Sequence, residues 1–334
     1  MGELDHWHPV LRSEEVSRKP RSVRIAGNEI VVFRTETGAL GALPDRCPHR
    51  GARLSLGRVE GERLVCPYHG WQWETNGRGH APATPSAKPC AEALDVVERQ
   101  GAIWIKRKNA ATAFPRFDTE GLYEIDRVRK IAEAPLELVL DNFIEVEHTP
   151  SIHAFLGYAP DRMREIEHRV VLESDSIYVH NVGPQRKLPS PLYPIFGIQR
   201  DAWFVDEWTT YFSPVYTVYD QYFVDPHTRK RTSDLTRIGV YFTPLDDTRT
   251  EVFVMVYSSA SPWGLLGFNL ARHALLAAFA RIEVTLDVRL LGQLADKQTQ
   301  IKGNQLARFD KALLATRERI ERIYRGNPSA SASA

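Results

Sequence analysis

The stretch CPHRGARLSLGRVEGERLVCPYHGW, residues 47 to 71, carries two pairs of metal-ligand side chains. Cys47 and His49 form a C-x-H pair, Cys66 and His69 form a C-x-x-H pair, and sixteen residues separate His49 from Cys66. Each pair sits among Pro and Gly in what reads as a tight turn. Gly51 and Gly70 let the backbone approach closely, so that amide N–H groups can face sulfide or thiolate. Two Cys and two His can hold zinc tetrahedrally. Zinc spacings usually place both cysteines in one pair and both histidines in the other, whereas here each pair is mixed. Mixed pairs suit a two-iron cluster with two thiolates on one iron and two neutral imidazoles on its partner, which raises the reduction potential. The third cysteine, Cys90, lies well downstream and reads as a buried or incidental thiol.

Around this stretch the first 115 or so residues read as short strands. SVRIAG, NEIVVFRTE and GALGAL alternate apolar and polar residues around Gly-rich turns, and LDVVERQ with AIWIKR forms a later strand pair. A run rich in small residues and proline, NAATAFPRFD, marks a domain boundary near residue 115. Beyond it YEIDRVRKIAEA reads as a strand and PLELVLDNFIEVEH as an amphipathic helix with Pro135 in its first turn. Strand patterns follow at 166–183, 202–223, 236–244 and 251–257, with a Pro-rich loop at 184–194. Helical patterns close the chain at about 265–297 and 304–325. The second domain, 116–326, is therefore α+β, with helices on an antiparallel sheet. The tail at 327–334 is expected to be disordered.

Composition narrows the function classes. The 334 residues are 43% hydrophobic and 25% charged with a formal net charge of +1, so a soluble globular protein is expected and nucleic acid is a poor partner. The most apolar run, LLGFNLARHALLAAFARIEV, is interrupted by Arg272, His273 and Arg281 and is not expected to span a bilayer. MGELDHWHP lacks a signal-peptide layout, and His6 stands where a myristoylation signal wants Ser or Thr. Three cysteines are too few for a disulfide framework, which points to a reducing cytoplasm.

A second stretch, DNFIEVEHTPSIH at 141 to 153, suggests a second metal. Five residues on an unbroken helix turn the chain by roughly 500°, which would point His148 and His153 apart. Pro150 reads as the helix end, and a bend there lets both imidazoles reach one point. Two histidines and one carboxylate are the ligand set of a non-haem iron with open positions. At a helix end the same histidines could also be ordinary polar residues. Glu145, one turn before His148, suits a hydrogen bond to that imidazole better than ligation, so the third ligand comes from elsewhere.

CPHRG with CPYHGW, then DNFIEVEHTPSIH, resembles the catalytic α subunit of the Rieske non-haem iron oxygenases, and most closely the smaller monooxygenase and demethylase branch. The resemblance implies an antiparallel β Rieske [2Fe-2S] domain followed by a helix-grip, START-like catalytic domain. It implies a [2Fe-2S] cluster on Cys47, His49, Cys66 and His69 and one Fe(II) on His148, His153 and a carboxylate of the segment DVRLLGQ. Asp287 is the ligand this suggests, with Glu283, one turn earlier, as the alternative; as a residue alone, Asp287 reads equally as a solvated helix carboxylate. Asn142 matches an Asn near the iron in that family. Glu145 stands where the family usually has Asp, the residue that links the two metals across a head-to-tail homotrimer.

The function implied is a terminal oxygenase. It would use O2 and electrons from a separate reductase or ferredoxin to hydroxylate or demethylate a small organic substrate, with dihydroxylation as a further outcome. No G-x-G-x-x-G strand-turn-helix and no four-cysteine ferredoxin set is present in the sequence to take electrons from NAD(P)H directly. A Rieske electron carrier or redox sensor with a ligand-binding second domain is the alternative. Strands such as WFVDEWTTYF and VYDQYF could line an aromatic pocket, although aromatics on strands are more often plain core.

Overall fold

The computed structural model describes residues 2–153, 157–264 and 267–327. The chain divides into two compact units, residues 1–115 with 243–247, and residues 116–242 with 248–334.

The first unit is built from short antiparallel strands in three sheets. β1 (His8–Arg12), β10 (Ala102–Lys106) and β9 (Asp95–Arg99) make one, and β2 (Arg21–Ile25), β3 (Asn28–Arg34) and β4 (Leu40–Pro44) make the second. The third runs through β5 (Arg58–Glu60), β6 (Arg63–Val65), β7 (Gln72–Trp73) and β8 (Gly79–His80). The two-residue and three-residue strands of this third sheet, and β1, were not anticipated; they are too short to show an alternating pattern. Val31, Phe33, Leu43, Leu54, Leu64 and Trp73 form a core that also encloses Cys47 and Cys66. Each such fully buried large side chain contributes on the order of 1.5–3 kcal/mol.

The second unit holds a seven-stranded antiparallel sheet in the order β11-β17-β16-β15-β14-β13-β12. Its strands are β11 (Tyr123–Ala132), β12 (Glu167–Leu172), β13 (Ser176–Pro184), β14 (Trp203–Phe212), β15 (Val215–Val224), β16 (Thr236–Asp246) and β17 (Arg249–Ser258). The single runs expected at 166–183 and 202–223 are each a hairpin, because a continuous apolar pattern hides a tight turn. Side chains alternate across a strand. Phe204, Asp206 and Trp208 of β14 therefore share a face, and the pairing sets Asp206 opposite Gln221 and Trp208 opposite Tyr219.

Helices cover that face. In α1 (Leu136–Phe143), Leu136, Val139 and Leu140 are buried at i, i+3 and i+4 spacing. α2 (Thr149–Ile152) is a single turn, and α3 (Leu192–Phe196) lies inside the segment expected to be a Pro-rich loop. α4 (Phe268–Gly292) is long, with Leu276, Phe279, Val284, Asp287 and Leu291 buried along one stripe. α5 (Leu313–Arg319) follows a short 3-10 turn and ends in a π turn at Ile320–Tyr324. Apart from Asn327, the expected disordered tail lies outside the described residues, as do 265 and 266 at the start of the expected helix. Among the described residues no helix is long and apolar enough to cross a membrane.

Candidate metal centres

The first centre is made of two loops with one design. Cys47 N donates to Ala52 O at 2.8 Å and Gly51 N to Cys47 O at 2.8 Å; Cys66 N donates to Trp71 O at 2.7 Å and Gly70 N to Cys66 O at 3.2 Å. Gly51 and Gly70 hold the matching left-handed positions, with φ of 74° and 70°. At φ near +70° a β-carbon is strained, so glycine closes both loops. Their own amides go to the cysteine carbonyls and close the loops, rather than facing a ligand as the spacing suggested. The amide of His49 is the one that faces the Cys47 sulfur.

The loops bring the four side chains together in pairs. Cys47 and Cys66 are both buried, and their sulfurs are hydrogen-bond neighbours. Burial pushes the Cys47 thiol up to about 11, so the thiolate form awaits a metal. The rings of His49 and His69 lie edge to face with centroids 4.6 Å apart, and His49 stacks on Trp71 at 4.4 Å. Nδ1 of His49 is buried and has no hydrogen-bond partner. Desolvation holds His69 below its ordinary value, helped by His49 and Arg50. Two buried thiols facing each other and two adjoining imidazoles, one with an orphaned nitrogen, are the donor set that a [2Fe-2S] cluster of mixed ligation needs. Cys90, expected as a buried or incidental thiol, is exposed and takes no part.

The second centre is assembled from distant parts of the chain. α1 stops at Phe143, where the Tyr219 hydroxyl donates to the Phe143 carbonyl. The helix is thus shorter than the pattern suggested, and Glu145 and His148 do not share a helical face. Glu145 instead organises a turn: one carboxylate oxygen accepts the amides of Glu147 and His148, the latter at 3.2 Å, and the other bonds Nδ1 of His148. Pro150 does not end a helix; it sits in the first turn of α2, whose N-cap is His148. His153 leaves that turn in an extended conformation, with φ −90° and ψ 134°.

These bends point both Nε2 atoms at one carboxylate. His153 Nε2 lies 3.0 Å and His148 Nε2 3.5 Å from Oδ1 of Asp287. Ligand atoms of His148, His153 and Asp287 all fall within 4.8 Å of one another. Although burial pushes His153 down, Asp287 outweighs it and holds the imidazole above its ordinary value, which is what a cationic centre at this point would replace. Of the two carboxylates the sequence left open, Asp287 makes these contacts. Glu283 is raised by burial and has one shielded oxygen without a partner.

The centre opens on a cavity of about 130 Å³ under the sheet. Asn142 lines it, nine-tenths buried, with an unpartnered Nδ2. Phe204, Trp208 and Tyr219 form its aromatic wall, so the inward-facing half of the strand aromatics is lining as well as core. Two features were not read from sequence. Arg186 donates to the carbonyls of His153 and of Pro150, the latter at 2.9 Å, and clamps the bend between the histidines. Asp206 and Gln221 also face the cavity, joined at 3.1 Å. A carboxylate set between Phe204 and Trp208 at alternate strand positions was the available signal for Asp206; nothing local marks Arg186.

Comparison with known proteins agrees with this arrangement. The Rieske [2Fe-2S] domain family matches residues 6–104. The chain thus carries a Rieske [2Fe-2S] domain. It is 34% identical over 46% of its length to methylxanthine N1-demethylase NdmA of Pseudomonas putida and 30% identical over 44% to the vanillate O-demethylase oxygenase subunit of a Pseudomonas strain. It spans about half the length of these curated relatives, 48% and 44%. Among solved structures, dicamba monooxygenase bound to dicamba has the same fold, with a TM-score of 0.81 over 98% of both chains at 20% identity.

Proposed function

We propose that this chain is a Rieske-type terminal oxygenase that hydroxylates or demethylates a small organic substrate. The observation that carries the reading is the convergence of His148, His153 and Asp287 beside an aromatic-lined cavity, in a chain that also carries a Rieske domain. In this reading Cys47, His49, Cys66 and His69 hold the cluster, and His148, His153 and Asp287 hold one ferrous ion. Bound there, the two groups supply one-electron relay and activation of O2.

The chain's own residues do the rest. Glu145 fixes the tautomer of His148 by bonding Nδ1, which leaves Nε2 free to ligate. Arg186 keeps His153 turned inward through the backbone. The aromatic wall excludes water and positions the substrate. Similarity to an N-demethylase and an O-demethylase subunit supports demethylation of small molecules, as does the cavity's size. Electrons come from a separate reductase or ferredoxin, the chain works in the cytoplasm, and it assembles as a homotrimer in which Glu145 also serves the neighbouring subunit's cluster histidine. Since one oxygen of Glu145 already takes two backbone amides, that second bond falls to the oxygen shared with His148, which has a lone pair to spare.

The test is direct. The purified protein is reduced without oxygen, then exposed to O2 with a set of small aromatic, terpenoid and N- or O-methyl compounds. Mass spectrometry should find products that gain an oxygen or lose a methyl group. A protein with both irons bound that oxidises without altering any compound would count against the reading.

A further inference from the structure

We propose that the cavity beside His148, His153 and Asp287 selects substrates carrying a cationic nitrogen, with Asp206 and Glu283 as the residues that recognise it. This deepens the oxygenase reading and rests on it for the cavity being the substrate site.

The cavity lining is acidic, and the cation that acts on Glu283 from outside it, Arg186, is already engaged by the His153 and Pro150 carbonyls. Glu145, Asp206, Glu283 and Asp287 line it, and no Lys or Arg does among the described residues. The residues outside the described set include no Lys or Arg either. A divalent ion on the triad offsets two of the four carboxylates and leaves the other two. Beyond Glu283 and Gln221 an adjoining chamber contains Arg272, but Asp234 already holds that guanidinium at 2.6 Å.

Each remaining carboxylate is placed to receive something. Asp206 is only 7% exposed, and the one side-chain donor seen at its carboxylate is the neutral Gln221 amide. Glu283 keeps an oxygen shielded from solvent with no donor facing it. A buried acceptor left without a partner is destabilising, the more so when charged. Burial pushes Asp206 up to about 7, in keeping with a missing counter-charge. Phe204, Trp208 and Tyr219 stand on the same sheet face, and aromatic faces attract cations. An anionic substrate would add a third uncompensated negative charge, and a neutral apolar one would leave both carboxylates as they are. A cation satisfies the acids and the rings together.

Calorimetric titration of the holoenzyme without oxygen tests this with three probes of similar shape: benzyltrimethylammonium, the neutral N,N-dimethylbenzamide and the anion phenylacetate. The ammonium should bind at least about 10-fold tighter than the amide, with phenylacetate weakest. Glu283→Gln and Asp206→Asn should each lower the ammonium-to-amide affinity ratio by about 10-fold. The cluster signal and iron content show that each variant is folded and loaded, and the wild-type ranking of probes stands without any variant. Equal affinity for ammonium and phenylacetate overturns the proposal, as do variants that weaken ammonium and amide alike. Oxygenation of neutral compounds with no ammonium preference would remove the cation proposal and leave the oxygenase; ammonium preference with no oxygenation of any compound would do the reverse.

Discussion

The two candidate metal-binding regions of this chain are held together in different ways. The cluster loops are local and backbone-built: two turns of matching hydrogen-bond pattern, each closed by a glycine with φ near +70°, place four ligands within 23 residues. The triad is long-range and built by side chains. Asp287 comes from a helix 134 residues beyond His153, and Glu145 and Arg186 fix the two imidazoles. A backbone-built site tolerates change in its surroundings but not in its ligands or glycines. A side-chain-built site can be loosened by residues that never touch the metal.

Several substitutions would sharpen or break that contrast. The largest effect is expected at the loops, where Cys47→Ser or Cys66→Ser should abolish the visible absorption and the reduced-state EPR signal of the cluster. A full-intensity signal in either variant would show that the ligands lie elsewhere. Next comes Glu145→Gln, which should keep both metals yet lose most turnover, because both carboxylate oxygens accept and an amide has one: its NH2 would face either the backbone amides of Glu147 and His148 or the imidazoles. Single-turnover kinetics with both centres reduced in advance would measure this, and wild-type rates would remove Glu145 from the electron path. Arg186→Met should weaken iron retention at the triad by roughly 10- to 100-fold, as loss of an outer-shell support does elsewhere, and leave the cluster spectrum alone. Iron retained equally by variant and wild type under chelator challenge would show that the bend needs no clamp.

The smallest effect concerns pH and the first unit. His8 is fully buried, and burial pushes its pKa down to about 3 despite a bond to the Glu3 carbonyl. The unfolded chain binds this proton near pH 6.5 and the native state does not, so the native state loses stability as pH falls from 6.5 towards 3. The loss is up to about 5 kcal/mol. Replacing His8 with Gln should flatten the fall in melting temperature between about pH 6.5 and 4.5 seen by cluster absorbance. An unchanged slope would place the acid sensitivity in other groups.

The contrast also explains what the sequence could and could not disclose. Cys47, His49, Cys66 and His69 are legible because loop geometry dictates a short, fixed spacing. His148 and His153 are legible as a pair, although the reason they converge is not a broken helix: α1 has already ended, and Glu145 and α2 build the turn. Asp287 and Glu283 share a helix face one turn apart, so periodicity cannot choose between them; only the fold brings Asp287 to His153. Arg186 was invisible because it acts through backbone carbonyls of residues 33 and 36 positions away. Asp206 was concealed in a strand whose alternation was read as core, when the same alternation sets a carboxylate on the face that lines the cavity.

Counting iron in wild type and Asp287→Ala, alongside the cluster's EPR signal, tests most directly that one chain carries two separately built centres. The account predicts about three irons per wild-type chain and about two in the variant, with an undiminished cluster signal and no oxygenated product. Two irons per wild-type chain in fully loaded protein, or a variant that keeps three and still turns over, would contradict it.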